Sequence, residues 1–159
     1  MVVIERRLDI EPTQLVLGQA RFDVPILAVP RISADALLKT IGLRQQIPIT
    51  RFKCPNPLNQ PYIFWVSTQP QHPGQSLEEV KTNLASDEAL INPAELASTY
   101  LQHPELFARR ALIAGDGDYG GFYAHISPFA KPIELFVARA DFRHARYEVL
   151  IKRKKVDVL

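Results

Sequence analysis

Three segments of the chain carry apolar residues at helical spacing. In 33–41, Ala34, Leu37, Leu38 and Ile41 recur at i, i+3, i+4 and i+7, which places them on one helix face. Ser33 suits the N-cap, and Gly42 suits the position just past the end. In 76–84, Leu77, Val80 and Leu84 share a face, and Ser76 with Glu79 has the spacing of a capping box. In 92–102 the signal is stronger. Asn92 caps, Pro93 takes the first helical position, and Glu95 completes the box. Leu96, Ala97, Tyr100 and Leu101 supply the stripe, and Pro104 ends it.

The remaining apolar runs read as strands. Tyr62 to Thr68 is aromatic and β-branched, lacks alternation, and is flanked by prolines, the pattern of a strand buried on both faces. After residue 110 the runs 111–114, 122–127, 133–138 and 145–152 predict a meander of short strands. In the last, Tyr147, Val149 and Ile151 alternate with Glu148, Leu150 and Lys152, as in an outer strand with one wet face. Three further short runs, Val2-Val3-Ile4, Leu15-Val16-Leu17 and Ile26 to Val29, are divided by Pro12, Pro25 and Pro30 and read as edge strands or extended packing segments. The expected fold is therefore α+β, a mainly antiparallel sheet with about three helices packed on one face.

At 159 residues the chain is expected to form a single domain. It contains a proline-rich loop region at 48–73 and a basic C-terminal segment at 139–159. An apolar fraction of 47% excludes global disorder, and the single cysteine, Cys54, excludes an internal disulfide framework. No apolar run approaches the roughly 20 residues that span a bilayer, and the N-terminus lacks the charge order of a secretory signal. A cytoplasmic protein is expected.

Charge changes the picture more than composition does. Residues 74–105 hold six acids against one lysine, and 139–155 hold seven bases against two acids. Opposed segments of this kind predict pairing within the chain or self-association between copies. The basic segment also interleaves Phe142, His144 and Tyr147, a pattern of single-stranded nucleic-acid binding, with Arg143, Arg146, Lys152 and Arg153 as candidate contacts. The small net charge of +2 weighs against that reading.

Candidate chemistry centres on Gly115-Asp116-Gly117-Asp118-Tyr119-Gly120-Gly121. The spacing matches a dinucleotide fingerprint, but that fingerprint must open a helix, and residues 121–126 are strand-like. Asp116 and Asp118 offer oxygen ligands to a divalent cation, and Tyr123, His125 and Ser127 would share one strand face next to them, opposite Phe122, Ala124 and Ile126. A hairpin tip explains the same glycines and aspartates more simply. The candidate ligand or metal residues are thus Asp116, Asp118, Tyr123 and His125. No catalytic residue and no cofactor is assigned.

The segment from 92 to 130 resembles an uncharacterised bacterial domain family of unknown function. The resemblance rests on the capped helix ending in His103-Pro104-Glu105-Leu106, the run Leu112-Ile113-Ala114-Gly115, and a strand closing at Ile126-Ser127. It implies one compact domain and no particular activity. The favoured functional expectation is a non-enzymatic binding or interaction module. The alternatives are a small metal-assisted enzyme at the 115–121 loop and single-strand nucleic-acid binding.

Overall fold

The computed structural model describes residues 21–29, 31–54, 58–130 and 133–159. The apolar runs near residues 2–4 and 15–17 lie outside them. Along the chain the elements are β1 (Val24–Ala28), α1 (Arg31–Thr40), β2 (Arg44–Gln45), β3 (Tyr62–Val66), α2 (Leu77–Asn83), β4 (Glu88–Leu90) and α3 (Pro93–Gln102). They continue as β5 (Ala111–Ile113), β6 (Phe122–Ser127), β7 (Glu134–Arg139), β8 (Tyr147–Val149), β9 (Ile151–Arg153) and β10 (Asp157–Val158). Short 3-10 turns occupy Ile49–Arg51 and Pro104–Phe107. The fold is α+β, with pairing mainly antiparallel.

One sheet runs β1-β3-β9-β4, with β10 also on β3, and the other runs β2-β7-β6-β5-β8. Only Leu150 separates β8 from β9, and its N–H donates to the Ile113 carbonyl at 3.0 Å. A single stretch of chain thus passes from one sheet into the other. Tyr147–Arg153 therefore joins the two sheets: β8 is the outer strand that was expected, at the edge of one sheet, whereas β9 lies inside the other between β3 and β4. Glu148, Val149, Leu150 and Ile151 are all buried. Glu148 gave the alternation its polar character. Its carboxylate is neutralised by Arg110 instead of facing water. The meander holds for β5, β6 and β7 only. The next strand returns to pair with β5 in parallel, with Leu112 opposite Glu148. Parallel pairing needs a crossover, and local alternation carries no record of it.

Two cores form on the two faces of β3. Tyr62, Phe64 and Val66 point into the larger one, with Ala34 and Leu38 of α1 and Leu96 and Ala97 of α3. Ile63 and Trp65 point the other way, against Leu77 and Val80 of α2. The expectation of three helices on one face holds for α1 and α3, while α2 covers the opposite face. Amphipathicity specifies that a helix has an apolar face, not which side of a sheet receives it. β1 is an edge strand, which accommodates Pro25 opposite Trp65.

Local signals place the helices well. Both predicted capping boxes form. The Ser76 side chain accepts from Glu79 N–H while Glu79 accepts from Ser76 N–H, and Asn92 and Glu95 do the same. Helix α1 begins at Arg31, two residues before the predicted Ser33 cap, and of its stripe only Ala34 and Leu38 are buried while Leu37 and Ile41 are exposed. It ends as expected. Gly42 has φ +75°, and the bonds Leu43 N–H to Leu38 O and Gly42 N–H to Lys39 O close a Schellman motif.

Candidate functional site

The Gly-Asp loop divides into two parts with different jobs. Tyr119-Gly120-Gly121-Phe122 is the hairpin tip. Tyr119 and Phe122 exchange backbone hydrogen bonds at 2.9 and 3.1 Å, and φ is +57° at Gly120 and +84° at Gly121, as a type I′ turn requires. The Asp118 carboxylate accepts from Gly121 N–H at 2.8 Å and so belongs to the turn. Residues 115–118 are instead clamped into the body of the protein. Lys53 N–H donates to Asp118 O at 2.7 Å, and Asp116 N–H donates to Ile91 O at 2.8 Å. A Cβ on Gly117 would lie 1.9 Å from the Lys53 carbonyl oxygen. A Cβ on Gly115 would lie 2.4 Å from the Leu77 side chain. Glycine at 117, where the obstacle is backbone, is what allows the loop to press in and carry Asp116 to the wall of a cavity.

That cavity has a volume of about 520 Å³. Its polar floor is built from three elements. Glu95, in the first turn of α3, is 1% exposed and satisfies two structures at once. Its Oε2 accepts from Asn92 N–H at 2.9 Å, closing the capping box. Its Oε1 accepts from the Tyr62 hydroxyl of β3 at 2.6 Å and from Lys152 Nζ of β9 at 2.5 Å. The Lys152 side chain is 13% exposed and lies 5.9 Å and 5.8 Å from the ring centroids of Tyr62 and Phe64. Its stem reaches this point because residue 152 shares the sheet face of Leu150, pointing toward the larger core.

The electrostatics of the floor follow from its burial. Desolvation, then the negative field of Glu95, push the Tyr62 phenol far above its usual range, so it stays a hydrogen-bond donor. The Asp116 carboxyl is also pushed up, first by burial and then by Glu95, against the opposing fields of Lys152 and Lys81. Among the described residues, no side chain hydrogen-bonds or ion-pairs with the Asp116 carboxylate. Leu58, Leu84, Leu90 and Val156 add apolar wall, and Lys154 stands at the same cavity.

The other predicted site residues go elsewhere. The Tyr123 hydroxyl accepts from Lys81 Nζ at 3.0 Å, which turns Tyr123 toward α2. His125 is 5% exposed and lines a separate groove with Phe122, Phe136 and Tyr147. Phe122, expected on the opposite face of the strand from His125, lines this same groove. Consecutive β7 residues from Phe136 to Arg139 line it too, so the groove wraps the β7 edge beyond the short β2 and takes residues from both faces. Asp116, Asp118 and His125 thus end in three different places. Among the described residues, no group of three or more His, Cys, Asp or Glu side chains converges as a metal site would need.

The candidate nucleic-acid contacts are likewise dispersed. Arg143 pairs with Glu79, Arg153 lies 3.4 Å from Asp157, and the Arg146 guanidinium sits 5.1 Å from the Phe129 ring centroid. Lys152 is the buried partner of Glu95. The Arg143–Glu79 and Lys152–Glu95 pairs join the basic and acidic segments within one chain, so part of their charge is neutralised there. No helix among the described residues is long and apolar enough to cross a membrane.

Of the cavity's polar residues, sequence reading singled out Asp116 and Lys152, in unrelated roles, and saw Glu95 only as a cap. Tyr62 passed as part of a strand. The available signal was Lys152 itself, a charged residue ending an otherwise buried strand run. No family model matches this chain, and no curated protein and no solved structure matches it either.

Proposed function

We propose that the protein is a small-ligand-binding module, with its site in the cavity floored by Glu95, Lys152 and Tyr62. The ligand it suits has a short apolar body and a cationic amine. The observation that supports this reading is Asp116, a half-buried carboxylate held beside Gly117, where a Cβ would meet the Lys53 carbonyl, and left without a cationic partner among the described residues. Its neighbour Glu95 is already neutralised by Lys152, so the unpaired negative charge at the wall is that of Asp116. A buried ion pair such as Glu95–Lys152 is weak evidence of stability, because desolvation offsets most of the Coulomb attraction. Clustered, burial-shifted ionisable groups in a cavity are more characteristic of binding and reaction sites. Leu58, Leu84, Leu90 and Val156 suit the carbon body.

The test is thermal unfolding with n-butylammonium and, in parallel, n-butanol. A ligand of the folded state stabilises by about 2.7 kcal/mol at a hundredfold excess over its dissociation constant. The amine raises the midpoint, the alcohol raises it less, and Asp116→Asn removes the difference. Equal responses to amine and alcohol, or an unchanged amine response in the variant, refute the reading.

A further inference from the structure

The His125 groove is a second cavity, about 510 Å³, with a chemistry unlike the first. Its walls carry Phe122, Phe136, Phe142 and Tyr147 around the imidazole, with Gln46, Arg139 and Asp141 as the polar part of the lining. Phe136 stacks on the His125 imidazole with centroids 5.6 Å apart, Tyr147 meets the same imidazole edge-on at 5.2 Å, and Phe142 meets Tyr147 edge-on at 5.0 Å. Two rings at this groove remain in water, Phe122 at 43% exposure and Phe142 at 40%. Aromatic surface gathered around a concavity is characteristic of recognition sites, whereas a packed core would have covered it.

The imidazole at the base of the groove has unmet hydrogen-bonding capacity. Nδ1 is fully buried beneath the groove surface and has no partner among the described residues, so a ligand in the groove reaches the ring through Nε2, which hydrogen-bonds to no described residue either. A neutral imidazole carries one donor and one acceptor, and native proteins pair such buried groups in the large majority of cases. Burial keeps the ring neutral at physiological pH. Exposed rings at the mouth and an unpaired polar ring at the base together describe a ligand with flat faces and a polar edge.

We propose that this groove binds a planar heteroaromatic ring. The ring packs against Phe122 and Phe142 and makes an edge hydrogen bond with His125 Nε2. A purely hydrocarbon ring would leave the imidazole unsatisfied, and a non-planar ligand would forgo contact with the aromatic walls. This site is distinct from the Asp116 cavity and stands or falls independently of it.

The test uses adenine as the probe and naphthalene, a planar bicyclic hydrocarbon, as the control. Adenine offers both donors and acceptors on its edge, whereas naphthalene offers neither. Imidazole ring nitrogen resonances of the full chain are followed by NMR during each titration. Adenine should shift the His125 ring nitrogens saturably. His125→Phe should weaken adenine about tenfold, the worth of one lost hydrogen bond. Phe142→Ala, a change at a partly exposed position, should also weaken adenine, and Asp116→Asn should leave its affinity unaltered. The proposal is overturned if adenine gives no saturable shift. It is also overturned if naphthalene binds as tightly as adenine, which would mark the groove as merely apolar. If His125→Phe fails to fold, Phe142→Ala decides alone, and unchanged adenine affinity in that variant overturns the proposal.

Discussion

His125 should make the protein's stability depend on pH in a defined window. Burial lowers its pKa from 6.5 to about 4. Between those values the unfolded chain binds a proton on this residue and the folded protein does not. Stability therefore rises with pH across the window, because the unfolded state is the one that gains protons as pH falls. The contribution is fully present above pH 6.5 and is lost as pH falls toward 4. Titration at those two values gives a loss of about 2 kcal/mol by pH 5 and about 3 kcal/mol by pH 4. Asp116 and Glu148 act in the opposite sense, since burial raises both their carboxyls. The wild-type curve therefore mixes signs, and the difference from His125→Phe isolates the histidine. Phenylalanine keeps an aromatic ring against Phe136 and Tyr147 and removes the titration. Urea unfolding at pH 7, 6, 5 and 4.5 measures both proteins. The variant should gain relative to wild type as pH falls, by about 2 kcal/mol at pH 5. Parallel curves for the two proteins would refute a neutral buried imidazole.

Further substitutions probe the frame of the Asp116 cavity. Gly117→Ala meets both a φ of +119° and a Cβ contact of 1.9 Å with the Lys53 carbonyl, so it should cost about 3 kcal/mol or more in urea unfolding. Gly120→Ala, at φ +57° with nothing within 4 Å, should cost only about 1 kcal/mol, and equal losses would refute the clamp at Lys53. Lys152→Met strands the Glu95 carboxylate and should cost about 3–5 kcal/mol, while Glu95→Gln together with Lys152→Met should recover much of that loss. A double variant no more stable than Lys152→Met would show that the two charges do not depend on each other.

Local chemistry in the sequence determined the features of this fold that are set within a few residues. The capping boxes at Ser76–Glu79 and Asn92–Glu95, the glycine closing α1, the doubly buried β3 and the turn glycines at 120–121 each involve groups close along the chain, so residue type and spacing specify them. The order of strands β5 to β7 was legible for the same reason, since short connections favour antiparallel neighbours.

Tertiary structure alone decided the rest. The return of β8 to β5, the side of the sheet taken by α2, and the burial of Glu148 against Arg110 depend on partners far along the chain. The candidate site is the clearest case. Glu95, Tyr62, Lys152 and Asp116 come from four separate segments, and 57 residues separate the two members of the ion pair. The sequence could name Asp116 as a candidate, because glycines flanked it. Lys152 looked like one base among seven. Only the crossing of β9 between β3 and β4 turned it inward, where leaving water made pairing with Glu95 necessary.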